Sequence, residues 1–333
     1  RGPVKQPVSS SAESARTGRR RRDIAEERTD TTLAHRRFGE DQPSLPSLRD
    51  VIRVDAATVL LQWAAGGLFF LWFTTRRRVV GVGYGWLLRG TYLLLAVAAA
   101  AAGFQFGVVP VREASSIAVA SAAFVALLVS VVRRKAGVSG QTDEHDRRSE
   151  RVAAMTGIER GVAQRHGGHE FPPVLDLMAP LLAIPGLVAA SYDAGGNLFV
   201  SLLRTFAGAA FLGSVTDAML LGHWYLVQPG LPRRHLNDLV RALGFVWPVE
   251  IVALLLPIGM FSVWSGSVND GWGGQLGWFW AACAITTMVL VVVTKAALKE
   301  RYYSAVMAAT GLLYLAILTA FGTDLVARAI LAG

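Results

Sequence analysis

Eight apolar stretches, each roughly 20 residues long, take up most of the chain after residue 54. They cover approximately 55–74, 88–108, 115–132, 173–191, 199–227, 240–262, 274–294 and 303–327. A hydrocarbon core about 30 Å thick is crossed by about 20 helical residues. One or two such stretches would fit buried helices of a soluble domain. Eight predict an all-α polytopic integral membrane helix bundle with about eight transmembrane helices. Composition agrees, with 53% hydrophobic residues and only 17% charged, against roughly 25% charged in ordinary soluble domains.

The connecting segments carry a second pattern. Arg76, Arg77 and Arg78 follow the first block, and Arg133, Arg134 and Lys135 follow the third. Arg233, Arg234 and Arg241 lie around the fifth connection, and Lys295, Lys299 and Arg301 around the seventh. The alternate connections hold Arg112 or no base at all. Basic side chains thus alternate with each crossing, as the positive-inside rule requires. The expectation is a multi-pass protein of the cell membrane, with basic loops cytoplasmic and the C-terminus outside. The net charge of +9 sits beside apolar blocks, which fits membrane orientation and not a nucleic-acid surface. The expected partner is the lipid bilayer, with other membrane subunits as a further class, and no nucleic acid.

Residues 1–54 lack a sustained apolar period and include GRRRRD at 18–23. Positions 1–50 hold 11 basic and 8 acidic side chains. Such a composition buries too little apolar surface to offset chain entropy, and a disordered basic and polar tail is expected. Residues 55–333 then form the transmembrane domain. Its longest connection, 133–172, mixes 8 basic with 6 acidic residues and contains HGGHE at 166–170. The glycines argue against helical metal-ligand spacing there, and a polar loop is expected.

Three ionisable residues fall inside or at the edge of apolar blocks five and six: Asp217, His223 and Glu250. Asp217 lies 10 residues from the end of block five, about 15 Å deep by helical rise. Glu250 lies 10 residues into block six, which places it at a similar depth of about 15 Å. A charged aspartate at the midplane costs roughly 3 kcal/mol or more, so intramembrane carboxyls mark proton or ion sites. Low dielectric and a nearby like charge favour a protonated carboxyl. The expected proton- or ion-relay residues are therefore Asp217, Glu250 and His223. Thr216, Trp224, Tyr225 and Pro248 are supporting residues. Trp224 and Tyr225 suit an interfacial belt, and Pro248, two residues before Glu250, frees the Gly244 carbonyl. Asp217 and His223 are six apart and do not share a helical face. Arg204 is expected to snorkel outward, with anion binding as the rival reading, and Asp324 to pair with Arg328 four residues on. Trp264, Trp272, Trp278 and Trp280 read as interfacial anchors, or as the lining of a ligand vestibule.

Other chemistry is thin. Cys283 is the one cysteine, so no disulfide forms within the chain. No GxxxxGK[ST], GxSxG or CxxC occurs, which removes the common phosphate-loop, nucleophile-elbow and redox motifs. No cofactor or metal is expected. Haem is the one cofactor weighed, with His223 as its only histidine in an apolar block, so a second ligand would come from Met219, Met260 or another chain. The leading expectation is a non-enzymatic membrane protein engaged in proton- or cation-coupled transport through intramembrane carboxylates. The rivals are an accessory or assembly subunit of a membrane complex and a membrane redox (haem) or lipid-modifying enzyme.

Overall fold

The computed structural model describes residues 2, 48–156, 169–228, 231–256, 259–266, 270–300 and 302–331. Among them all regular structure is helical. The helices are α1 (Leu48–Thr75), α2 (Val82–Phe106), α3 (Pro110–Val132), α4 (Ser139–Thr156), α5 (Val174–Asp193), α6 (Leu198–Val227), α7 (Arg234–Leu255), α8 (Phe261–Trp264), α9 (Gln275–Ala297) and α10 (Tyr303–Leu331). The expected polar tail lies outside the described residues except at its end, where Leu48 already begins α1. The long polar connection is partly helical: α4 is an 18-residue helix with few apolar side chains.

Seven helices, α1, α2, α3, α5, α6, α9 and α10, are long and apolar enough to cross a membrane. Seven of the about eight expected spans thus qualify by length and composition. The sixth apolar block becomes α7, which starts at Arg234 rather than at residue 240 and breaks off at Leu255. Arg234, Asp238, Arg241 and Glu250 make it too polar to qualify by composition. Its ends nevertheless lie at opposite ends of the bundle. Asp238 meets Arg77 from the end of α1, and the Ala253 carbonyl meets Arg204 from the start of α6.

The outward faces carry Leu94, Phe124, Ile285 and Leu318, all exposed. In water such a surface would aggregate, whereas in lipid it is solvated. The interior is lined with small residues, among them Ala96, Ala99, Ala123, Ala183, Ala309, Ala316 and Ala320. Lipid gives helices no hydrophobic reason to associate, so close van der Waals approach between small residues takes that role. The tightest seam joins α1 to α6. A Cβ added at Gly66 would collide with the Ala209 carbonyl, and one added at Gly213 with the Gly66 backbone.

The basic connections meet at one end of the bundle. Arg77 pairs with Asp238 at 3.0 Å and Arg78 with Glu170 at 3.0 Å. Arg133 donates to the Glu170 carbonyl at 3.0 Å, and Arg233 to the Tyr302 carbonyl at 2.8 Å. The charge alternation in the sequence therefore corresponds to one shared face. Glu170 of HGGHE has a structural place in it, while His166 lies outside the described residues.

Candidate functional site

Asp217 is fully buried on α6. Its Oδ1 accepts a short hydrogen bond from the Tyr92 hydroxyl of α2. Its Oδ2 has no hydrogen-bond partner among the described residues. The Tyr92 ring occupies the space a side chain at Gly67 of α1 would fill. Glycine at 67 thus lets a tyrosine reach across α1 to the carboxyl. The Tyr84 hydroxyl, two helical turns along α2, is also buried, beside Thr74 of α1, and lies within electrostatic reach of Asp217.

The neighbouring polar groups run along the α1–α2–α6 seam. Toward the end opposite the basic loops, Gln62 donates to the Thr205 carbonyl at 2.6 Å. Thr205 Oγ1 accepts from Ser191 at 2.8 Å. The Gln62 Oε1 atom is a further buried acceptor without a partner. Toward the basic end, Tyr84 packs on Trp224 with ring centroids 6.0 Å apart. Trp224 donates to Gln228 Oε1 at 2.9 Å, which also accepts from Gly81 N at 3.1 Å.

The other expected residues divide. Thr216 is buried and accepts from Trp63 Nε1 at 2.9 Å while donating to the Leu212 carbonyl at 2.7 Å. Tyr225 is buried and donates to the Pro232 carbonyl at 2.6 Å, closing the turn between α6 and α7. His223 is exposed, and its Nδ1 lies 3.3 Å from the Tyr314 hydroxyl. It faces away from Asp217, as six-residue spacing requires. Pro248 lies on an exposed face of α7, and the helix continues through it.

Glu250 is fully buried, but it does not join Asp217. The charged groups acting on it are Asp324 and Arg328 of α10 and Arg204 of α6. Asp324 lies against Gly208, nine residues before Asp217, about 14 Å of helical rise away. The equal depth expected for Asp217 and Glu250 is therefore incorrect. Because α7 starts at Arg234, Glu250 lies 16 residues into it, about 24 Å from the basic end. Glu250 has no amide, guanidinium or hydroxyl donor among the described residues, and its carboxyl lies beside that of Asp324. The Asp324–Arg328 pair is present at 2.9 Å.

Arg204 does not snorkel. Its Nε donates to the Ala253 carbonyl at 3.0 Å and its Nη2 to Leu256 at 2.5 Å. These carbonyls close the last turn of α7, where a cation complements the helix dipole. His235, which lies outside the apolar blocks, is buried in the first turn of α7.

Two further buried ion pairs were not singled out from the sequence. Arg89 of α2 makes bonds of 2.7 and 2.8 Å to Asp176 of α5. Arg112 pairs with Glu113 and donates to the Gly107 carbonyl, both at 2.6 Å. The visible signal was a charge beside or inside an apolar block; their partners were not readable. Tyr92, Tyr84 and Gln62 gave no such signal, being ordinary residues of membrane helices.

Among the described residues no group of three or more His, Cys, Asp or Glu side chains could hold a metal ion. No protein-family model, curated protein or solved structure matches the chain. Fold and site together define a multi-pass helical membrane protein with buried charged residues.

Proposed function

We propose that this protein moves protons, or a small cation, across the cell membrane along the α1–α2–α6 seam, with Asp217 as the central relay. The observation that carries the reading is the Asp217 carboxyl: fully buried, held by Tyr92 through one oxygen and without a partner at the other. Buried polar groups without partners are rare and costly, and they occur where water, ions or chemistry complete them. Here Gln62 Oε1 and Asp217 Oδ2 are such atoms along one seam, and the buried Tyr84 hydroxyl, beside Thr74, continues it toward the basic end. Water molecules between them would complete a proton path. Tyr92 sets the Asp217 rotamer and can pass a proton through its hydroxyl.

Glu250 belongs to a second charged cluster nearer the other end of α6, and His223 lies outside the path. The basic loops are assigned to the cytoplasm, which places the C-terminal end of α10 outside.

The test is proton flux into liposomes carrying the purified protein, followed by an enclosed pH-sensitive dye. Wild-type protein acidifies the lumen on a pH step, Asp217→Asn abolishes the flux, and His223→Ala leaves it unchanged. Equal flux in wild type and in folded Asp217→Asn would end the relay reading.

A further inference from the structure

At the end of the bundle away from the basic loops lies a cavity of about 360 Å³. Its size falls in the range of small-molecule sites. It opens where α5 ends and α6 begins, and the ends of α7 and α10 close it. Its wall carries two guanidinium groups, Arg204 and Arg328, and one carboxylate, Asp193, which is exposed. Behind the wall Asp324 pairs with Arg328, and Glu250 lies within electrostatic reach of both arginines, so the positive charge the cavity presents is concentrated at Arg204. The first turn of the 30-residue helix α6 also faces it, through Asn197, Val200 and Ser201. Val200 N–H is taken by Asn197 Oδ1 and Ser201 N–H by the Asn197 carbonyl, so what this helix end adds is its partial positive charge.

The two arginines are held in different ways. Arg328 is fastened by Asp324 at 2.9 Å through Nε and reaches the Arg204 carbonyl at 3.3 Å through Nη2. Arg204 is positioned through Nε and Nη2 on the carbonyls of Ala253 and Leu256. Its Nη1 group has no hydrogen-bond partner among the described residues. A guanidinium fixed on one edge and open on the other is preorganised to receive an oxygen anion. The Thr58 hydroxyl on the same wall accepts from Arg112 and keeps its own proton to donate, whereas Ser201 already donates to the Gly195 carbonyl.

We infer that this cavity is a binding site for a carboxylate or phosphate group, with Arg204 as its principal donor. The apolar part of the wall, including Ala190, Val200 and Leu254, accommodates the rest of a small organic anion or the glycerol region of an anionic lipid. Thr205 lies on this wall and its carbonyl accepts from Gln62. The anion would therefore sit at one end of the proposed proton path. The binding claim itself stands apart from the relay, and Asp217 is not in the wall.

The test uses the full chain in nanodiscs of zwitterionic lipid. Its thermal unfolding is followed while sodium phosphate or sodium lactate is added, against sodium chloride at equal ionic strength. The expected result is a saturable rise in the unfolding temperature with at least one of the two oxyanions. Half-saturation should move up at least about tenfold in Arg204→Gln, as loss of a charge-assisted donor implies. Because Arg204 also closes α7, a second variant is needed. Ala194→Phe fills the cavity from an exposed position on its wall without touching Arg204, and it should abolish the response. Asp217→Asn should keep it even where proton flux is lost. If only nanodiscs containing phosphatidylglycerol stabilise the wild type, and Arg204→Gln removes that gain, the same site takes a lipid headgroup. No saturable response to either salt or to the anionic lipid would overturn the inference. An equal response in Ala194→Phe would overturn it as well.

Discussion

Replacing Asp176 by alanine isolates the contribution of a buried ion pair to this bundle. Arg89 and Asp176 meet through two bonds of 2.7 and 2.8 Å, with side chains 3% and 0% exposed. Thr75 also donates to Asp176 Oδ2 at 3.0 Å. The substitution leaves the guanidinium with Ser130 at 3.1 Å and the Phe171 ring 4.2 Å away. Neither is a counter-ion, so the cost is that of a buried charge losing its partner, about 3–5 kcal/mol. A paired apolar replacement, Arg89→Met with Asp176→Leu, removes both charges and should return to within about 1–2 kcal/mol of wild type. Unfolding in mixed micelles with rising dodecyl sulfate, followed by tryptophan fluorescence, measures all three proteins. A loss below about 1 kcal/mol for Asp176→Ala would place the pair in the range of exposed salt bridges. It would refute the claim that α2 and α5 are locked through it.

Gly213→Val should destabilise the bundle by more than about 3 kcal/mol in the same assay, because the added carbons enter the Gly66 backbone and the seam cannot open without unpacking α1. Gly90→Ala, where an added Cβ meets nothing within 4 Å, is the matched control and should be neutral or slightly stabilising. Asp270 accepts from the backbone N–H groups of Gly274, Trp272 and Leu276. These bonds, that from Gly274 foremost, hold its carboxyl below the ordinary value of 3.8. A depressed carboxyl stabilises the folded loop above the unfolded value, and this is lost as pH falls through the folded one. Protection of the Gly274 amide, taken relative to its intrinsic exchange rate, should therefore persist at pH 5 and fall only below about pH 4, while Asp270→Asn should weaken protection already at pH 5. A topology reporter fused after Ala136 should report the cytoplasm, since it lies on the face where the basic connections meet.

What the sequence disclosed, and what it did not, follows from how local each property is. Apolar length is local, so the spans of α1, α2, α3, α5, α6, α9 and α10 were legible. So was the i, i+4 pair of Asp324 and Arg328, which needs only one helix. The depth of Glu250 failed because polarity was taken for the end of a helix. Asn237 and Asp238 are polar but helix-compatible, and α7 runs through them from Arg234. Partners across helices depend on rotation about each axis, which one sequence does not encode visibly. Tyr92 reaches Asp217 from 125 positions away, and Arg89 reaches Asp176 from 87 away. Arg204 turned inward for a similar reason, since the carbonyls it meets belong to the end of α7. The four tryptophans near the start of α9 do not line the cavity at that end. Trp272 and Trp278 are exposed, as interfacial anchors are, and Trp280 is buried.

The central claim is that Asp217 carries the moving charge, and current read from the protein itself tests it most directly. Proteoliposomes adsorbed on a solid-supported membrane would be given rapid pH steps, comparing wild type with Asp217→Asn of equal unfolding temperature. The account predicts a pH-driven charge displacement in the wild type that disappears in Asp217→Asn and is reduced in Tyr92→Phe, which keeps the carboxyl but removes its hydroxyl partner. Equal displacement in wild type and Asp217→Asn, or none in the wild type, would contradict it.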